Sequence, residues 1–205
     1  HYSLESALAV CMQWTSMGRA SEILGLHHNE VKFEDDRMTI VVIGSKTRYG
    51  ADSIVAHAPG AQLASLPNTC SIMHLSSILY SKLNAHRYGT RQKSRAKTGR
   101  IFTLSYDRYR RKLSECFQHL ELNTAAADEN RATKHLKYSS HSFRRGKATA
   151  LFAAGVPVGS VRICGRWTVE RSLEIYLREG LACLCSRGSK VFEKHRKDGM
   201  FLAGF

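Results

Sequence analysis

The sequence predicts an α+β fold that is mainly helical and carries one small antiparallel sheet of three strands. Apolar residues recur at helical spacing in most segments of the chain. One β-branched run, RMTIVVIG (37–44), lies between two further strand-like segments. Hydrophobic residues make up 43% of the 205 residues, so the chain can bury a core.

The first half of the chain alternates helical and strand patterns. Helical spacing predicts a helix over residues 3–16, and a second helical segment begins near Arg19. VKF (31–33), RMTIVVIG (37–44) and SIVAHA (53–58) are the three predicted strands. GSKTRYG lies between the second and third strands and has turn composition, so these two strands should form a hairpin.

The second half is predicted to be helical. Residues 121–139 are polar and are predicted to form a loop. One helix should begin at the N-cap Ser105, and another should end at Gly155, two residues before a proline. The predicted helices of this half are 69–83, the helix after Ser105, 141–154, 158–165 and 168–177.

The charge of the chain favours a polyanionic partner. Its net charge is +14 and its pI is near 9.8, which indicates nucleic acid or an anionic membrane surface. Residues 1–36 hold two basic and six acidic residues, whereas residues 87–112 hold ten basic residues and one acid. Tyr88, Tyr106 and Tyr109 lie among these charges, which favours a phosphate-tracking surface over a solvated loop. The predicted DNA-backbone contacts here are Arg87, Arg91, Lys93, Arg95, Lys97 and Arg100.

Other classes of protein are disfavoured by the sequence. No apolar run is long enough to span a membrane, and no signal peptide opens the chain. The six cysteines are scattered without paired CxxC units, so we expect reduced thiols in an intracellular protein and no metal site. The chain begins inside its first predicted helix, which favours an excised domain of a longer protein.

The stretch HSFRRG contains the first candidate for chemistry. His141 and Arg144 are three residues apart at a helix start and therefore share one face. Such a position favours an anion, and an arginine can hold a phosphate in bidentate fashion. Taken alone, the motif is weak evidence, because a capping histidine beside a surface arginine is the far commoner case. Arg145 then remains a DNA-backbone contact or a surface charge.

Three further motifs give this stretch a context. In GRWTVERSLEIY (165–176), a tryptophan precedes a tyrosine by nine residues. MGRASEIL (17–24) and IGSKTR (43–48) lie upstream. In this order the four motifs resemble the tyrosine recombinase family, of the integrase and Cre type, from the first helix to about residue 180. The resemblance implies a helical catalytic domain of the DNA breaking-rejoining type.

The resemblance implies a distinct role for each of these residues in phosphoryl transfer. Arg19 and Arg144 would clamp the scissile phosphate and neutralise the charge of the transition state. Tyr176 would attack phosphorus and form a 3′-phosphotyrosine. Lys46, on the mobile hairpin, would protonate the leaving 5′-oxygen as general acid. This chemistry needs no metal, no nucleotide and no other cofactor.

Three residues would support that reaction. His141 would bond a phosphate oxygen and help to deprotonate the nucleophile. Trp167 would donate its indole N–H while its ring packs against the nucleophile's helix. Glu22 would not contact the phosphate itself but would orient the residues that do. Each residue also has an ordinary alternative: a capping histidine, a core aromatic or a first-turn helix acid.

The resemblance also implies the organisation of the chain and its partners. We expect a catalytic domain over 1–180 and a C-terminal segment over 181–205 that docks on a neighbouring protomer; a frayed terminus is the alternative. The family's N-terminal core-binding domain is expected to be absent from this chain. The expected partners are double-stranded DNA and further copies in a tetramer on paired sites, with no membrane and no small-molecule substrate.

The function expected from the resemblance is that of a site-specific recombinase catalytic domain, from a mobile element, in the nucleus or the bacterial nucleoid. A type IB topoisomerase is one alternative, although histidine at position 141 favours a recombinase. An inactive DNA-binding derivative is the other, although the set of motifs is intact.

Overall fold

The structure is a computed structural model that describes residues 3–34, 37–43, 51–57, 69–88, 99–120 and 138–186. These ranges contain seven α-helices, three strands and a 3-10 turn at His28–Glu30. The helices are α1 (Leu4–Ser16), α2 (Ala20–Leu24), α3 (Thr69–Tyr88), α4 (Tyr106–His119), α5 (Ser140–Ala153), α6 (Val158–Cys164) and α7 (Glu170–Ser186). The strands are β1 (Val31–Phe33), β2 (Arg37–Ile43) and β3 (Ala51–His57). None of these helices is both long and apolar enough to cross a membrane.

The predicted three-stranded antiparallel sheet is confirmed, with strand order β1-β2-β3. Along β2 the buried residues alternate with more exposed ones, and Met38, Ile40 and Val42 point into the core. This period of two is the pattern of a sheet with one face on the core and one face toward solvent.

Helix starts follow the capping residues in the sequence. The Ser3 side chain accepts a hydrogen bond from the N–H of Ser6 at the start of α1, and Ser105 accepts one from Arg108 at the start of α4. Ser139 likewise accepts from the N–H of His141 and so begins α5. Each serine satisfies a backbone donor that has no partner within its helix.

Two predicted helix ends differ from the structure. Helix α3 continues to Tyr88, five residues beyond Leu83, because its last turn carries no helix-breaking residue. Helix α7 begins at Glu170 and runs to Ser186, so it passes without interruption through the boundary predicted at residue 180. The docking role predicted for the C-terminal segment falls largely on residues 187–205, outside the described residues, as does most of the predicted loop 121–139.

The buried apolar residues form two clusters. The larger cluster joins α1, α2, α3, α4 and the sheet, and includes Leu8, Met12 and Ile40. The smaller cluster joins α5, α6 and α7 to the end of α1. Its members are Met17, Ala148, Val161, Trp167, Leu173 and Leu177. Arg19 and Glu22, at the start of α2, therefore lie next to the larger cluster. Trp167 belongs to the smaller cluster, and Tyr176 packs against it.

Glu5, in the first turn of α1, fixes the segment that leads into α4. Its carboxylate accepts hydrogen bonds from the N–H groups of Thr103 (3.1 Å) and Leu104 (3.0 Å) and from the Thr103 hydroxyl. It also pairs with Arg87 of α3, whose Nη1 donates to the Ile101 carbonyl. Both side chains are more than four-fifths buried, at 14% and 17% exposed. Charge-assisted bonds in such a site are among the stronger ones in proteins.

We expect Glu5→Gln to lower the free energy of unfolding by about 2 kcal/mol, because it leaves the Arg87 guanidinium without its counter-charge. Urea denaturation measures this loss. In a double-mutant cycle, Arg87→Gln should be less harmful in the Glu5→Gln background than in the wild type. Strictly additive losses would contradict the pairing.

Candidate active site

Arg19 and Glu22 lie at the start of α2 and are locked together. The Glu22 carboxylate accepts a hydrogen bond from the backbone N–H of Arg19 and forms an ion pair with the Arg19 guanidinium, both at 2.8 Å. Met17 makes this turn possible, since it ends α1 in the left-handed conformation (φ 52°). The Arg19 side chain stays one-quarter exposed, so it can still meet a ligand.

Arg144 is buried at the centre of the site, with 2% of its surface exposed. Its Nη1 donates to the Met17 carbonyl at 2.6 Å, and its Nη2 donates to the Gly165 carbonyl. These carbonyls belong to the C-terminal caps of α1 and α6, where backbone oxygens lack intrahelical partners and carry partial negative charge. The guanidinium therefore joins two helix ends and takes a fixed orientation from them.

Trp167 covers the face of this guanidinium. The Cζ of Arg144 lies 4.2 Å from the centroid of the Trp167 ring, which is a close cation–π contact. Trp167 can lie there only because Gly165 has no side chain: a Cβ at this position would overlap the indole ring. The ring also packs against Tyr176, with the two ring centroids 6.0 Å apart.

Tyr176 is half-buried on α7 and is surrounded by residues of α5. Its ring makes an edge contact with His141, with centroids 6.4 Å apart. The Cζ of Arg145 lies 5.8 Å from its ring centroid. Arg145, predicted as a DNA-backbone contact, thus lies beside the candidate nucleophile; its contact with DNA stays a prediction. The structure brings together Arg19, Glu22, His141, Arg144, Trp167 and Tyr176.

Arg166 is a further member of the site that the motif search did not single out. Its Nη2 pairs with Glu22, so the carboxylate lies between the guanidinium groups of Arg19 and Arg166. The sequence signal was weak, because Arg166 directly precedes Trp167 and looks like part of the same turn. With Arg144, the cluster holds three arginines and one carboxylate, an excess of positive charge.

This charge balance shifts the pKa values of the cluster. Burial and the nearby charge of Arg19 lower the pKa of Arg144 to about 10, so it stays charged at neutral pH. Hydrogen bonds and the charges of Arg166 and Arg19 hold the pKa of Glu22 below its usual value although burial opposes them. Partial burial of the ring and the charges of Arg144, Arg145 and Arg19 lower the pKa of His141, so its imidazole is neutral at pH 7.

Gln13, deeply buried in α1, links both halves of the site. Its Nε2 donates to the carbonyls of Gly18 (3.4 Å) and Ser140 (3.3 Å), the residues before Arg19 and His141. Its Oε1 accepts a hydrogen bond from the Tyr109 hydroxyl at 2.5 Å. Tyr109 is fully buried, and burial raises the pKa of its phenol, so it stays a neutral donor. Its predicted place on a phosphate-tracking surface is therefore wrong.

The remaining predicted residues are less well placed by the structure. Arg100 is exposed, beside a backbone bridge to His27, and Arg87 is held in its ion pair with Glu5. Their DNA contacts stay predictions. Lys46 and four residues of the basic segment lie outside the described residues; these four are Arg91, Lys93, Arg95 and Lys97. Within the described ranges no three metal-ligating side chains cluster.

The geometry suits one kind of chemistry. Three guanidinium groups and a neutral imidazole can bind and neutralise an anion, and a phenol lies at the edge of the same cluster. Such an arrangement fits a nucleophilic attack on a phosphate group.

The solved structures that match this chain include two complexes of one site-specific recombinase with DNA. The XerH site-specific recombinase bound to palindromic difH substrate, in a post-cleavage complex, has a TM-score of 0.55 at 14% sequence identity. The match covers 93% of this chain and 48% of that one. The pre-cleavage complex of XerH with difH gives a TM-score of 0.54 at 16% identity, over 86% of this chain and 44% of the other.

The chain has the fold of a tyrosine recombinase catalytic domain. The fold class predicted from the sequence motifs is thereby confirmed. The chain spans about half the length of these recombinases. No protein-family model and no curated protein matches it.

We expect Gly165→Ala to displace Trp167 from Arg144 and to lower the free energy of unfolding by about 2 kcal/mol, since the new methyl group overlaps a packed ring. Urea denaturation followed by tryptophan fluorescence checks both effects. Gly159→Ala on the same helix is the matched control, because a Cβ added there would meet no other atom within 4 Å. Equal stability of the two variants would contradict the packing described for Gly165.

We expect the imidazole of His141 to titrate below its ordinary value of about 6.5. Arg145→Gln should raise this pKa, because it removes one neighbouring positive charge, whereas Arg171→Gln should not change it. NMR of the imidazole protons, assigned with His141→Gln, measures the midpoint. A midpoint unchanged by Arg145→Gln would contradict the electrostatic cause.

The same pKa shift makes stability depend on pH. Below about pH 6.5 the unfolded state binds a proton at His141 more readily than the folded state does, so acidification destabilises the fold. Above that pH both states are neutral and the contribution vanishes. His141→Gln should therefore lose less stability than the wild type between pH 7 and pH 5.

Proposed function

We propose that this chain is the catalytic domain of a site-specific DNA recombinase that cuts and rejoins DNA through a phosphotyrosine at Tyr176. The observation that carries the proposal is that Tyr176 packs against His141 and against Trp167, the ring that covers the Arg144 guanidinium, in a tyrosine recombinase fold. The related XerH structures are complexes with DNA, which supports DNA as the substrate here.

In the proposed reaction the Tyr176 hydroxyl attacks phosphorus and the bond from phosphorus to the 5′-oxygen breaks. The products are a 3′-phosphotyrosine and a free 5′-hydroxyl group. The neutral imidazole of His141 accepts the phenolic proton, and Lys46 supplies the proton of the leaving oxygen. Because the phosphodiester energy is kept in the phosphotyrosine, the strand can be rejoined without ATP.

Arg19 and Arg144 bind the non-bridging oxygens of the scissile phosphate in this proposal. Arg144 is fixed by two backbone carbonyls and the Trp167 ring, so its orientation costs no reorganisation during reaction. Arg19 is oriented by Glu22. The excess positive charge of the cluster favours the transition state, in which negative charge on the phosphate oxygens grows.

The proposal extends to assembly. Recombination joins strands from two duplexes, so four copies of the chain would act on paired DNA sites inside the cell. A topoisomerase, by contrast, would relax a single supercoiled circle. Incubation with a plasmid that carries two target sites distinguishes the two, because only a recombinase gives circles in which the sequence between the sites has been excised or inverted.

We expect the wild type to form a denaturation-resistant adduct with a nicked suicide duplex and Tyr176→Phe to form none. A library of nicked duplexes with randomised sequence serves as substrate, and the adduct is captured on a denaturing gel and sequenced. Tyr106→Phe, at an exposed tyrosine of α4, is the matched control and should react as the wild type does. An adduct with Tyr176→Phe would disprove the assignment of the nucleophile.

A further inference from the structure

The conformation of Arg166 is unusual for its residue type. Helix α6 ends with Gly165 at the C-cap and with Arg166 in the left-handed region (φ 57°). The N–H of Trp167 bonds the Arg162 carbonyl, and that of Arg166 bonds the Ile163 carbonyl, both at 3.0 Å. This is a Schellman motif, in which glycine is the usual left-handed residue because a Cβ is disfavoured there. The cost of this backbone conformation indicates that the Arg166 side chain has a function that glycine could not supply.

The Arg166 side chain is nine-tenths buried and only partly paired. Its Nη2 binds Glu22, but its Nε and Nη1 have no hydrogen-bond partner among the residues that the structure describes. Buried guanidinium donors are normally satisfied, and leaving them unsatisfied is costly. These donors therefore favour an acceptor from outside this part of the chain.

A pocket lies beside Arg166. It has a volume of about 220 Å³ and is lined by Arg162, Ile163, Arg166, Trp167 and Thr168. A water molecule occupies about 30 Å³ in the liquid, so the pocket has room for a phosphate group with part of its hydration shell. Two of the lining side chains are cationic, and a third is a hydroxyl that can donate a hydrogen bond.

We propose that Arg162, Arg166 and Thr168 form a second phosphate subsite, which holds a DNA phosphodiester next to the scissile one. The subsite shares Trp167 with the candidate active site, so the two phosphates would bind on neighbouring surfaces. Arg166 would also couple them, because it contacts Glu22, which orients Arg19. Since its ligand is taken to be DNA, this subsite rests on the proposed function.

Equilibrium binding tests the subsite apart from the chemistry. The Tyr176→Phe chain is used as background, so that no strand is cut, and the probe is a fluorescent duplex of random sequence. Affinity is measured by anisotropy over a series of salt concentrations. Each phosphate contact contributes about 0.9 to the slope of log K against log salt.

Arg162→Gln is the main variant, because Arg162 makes no described contact with the candidate catalytic side chains. We expect an affinity loss of about tenfold at low salt and a slope smaller by about 0.9. Arg171→Gln is the control: it removes the same charge from an exposed position outside the pocket. An unchanged slope in Arg162→Gln, or an equal change in Arg171→Gln, would overturn the subsite.

Arg166→Gly is the second variant, because glycine suits the left-handed backbone and keeps the helix end intact. We expect the same reduction in slope as for Arg162→Gln, with thermal melting showing that the chain is folded. Arg166→Lys, which keeps the charge, should recover part of the slope. Wild-type binding by a folded Arg166→Gly variant would contradict the proposal.

NMR separates the possible sources of the phosphate. The Arg166 side-chain Nε–H signal is followed during titration with dimethyl phosphate, a phosphodiester, and with inorganic phosphate. A shift with dimethyl phosphate supports the DNA subsite, and a shift with inorganic phosphate alone would overturn it. The covalent adduct assay is independent of both results, so a failure of the subsite and a failure of the proposed reaction are distinguishable.

Discussion

The burial of one cation, Arg144, determines how the rest of the site is built. A guanidinium taken from water needs acceptors, and here they come from the ends of two helices, α1 and α6. Each helix end in turn gains a donor for a carbonyl that its own backbone cannot satisfy. Because α5 carries Arg144, the end of α1 must meet α5 and α6, which lie more than 120 residues later in the sequence. The aromatic ring of Trp167 covers one face of the guanidinium.

The second consequence of this burial is electrostatic. Burial, together with the charges of Arg19 and Arg166, lowers the pKa of Arg144, and one carboxylate, Glu22, lies between Arg19 and Arg166. The folded chain therefore holds like charges together before any ligand arrives. The Glu22 carboxylate offsets part of their mutual repulsion, because it pairs with both Arg19 and Arg166. Gln13 fixes the position of the Arg19 half of the cluster relative to the His141 half, because it bonds the carbonyls of Gly18 and Ser140, and Tyr109 holds the Gln13 amide in place.

Local patterns in the sequence predicted the elements, because periodicity and capping depend on near neighbours, whereas the candidate site residues came from the resemblance of four ordered motifs to a family. The helix over 3–16, the three strands and the cap at Ser105 are of this kind. Gln13 was missed because its partner carbonyl at Ser140 is 127 residues away and leaves no local trace. Arg87 resembles its basic neighbours in sequence, yet its partner is Glu5, 82 residues distant. Arg166 was hidden because its left-handed backbone is visible only in three dimensions.

Because the interior is divided into two apolar clusters, the candidate site is assembled only when both have formed. Arg19 and Glu22 stand on the larger cluster, whereas Trp167 and Tyr176 stand on the smaller one, formed by α5, α6 and α7. A chain in which only the larger core has formed would lack the packing that places Trp167 and Tyr176 beside His141 and Arg144. Completion of the smaller core is thus a condition for assembling the candidate site from its two halves.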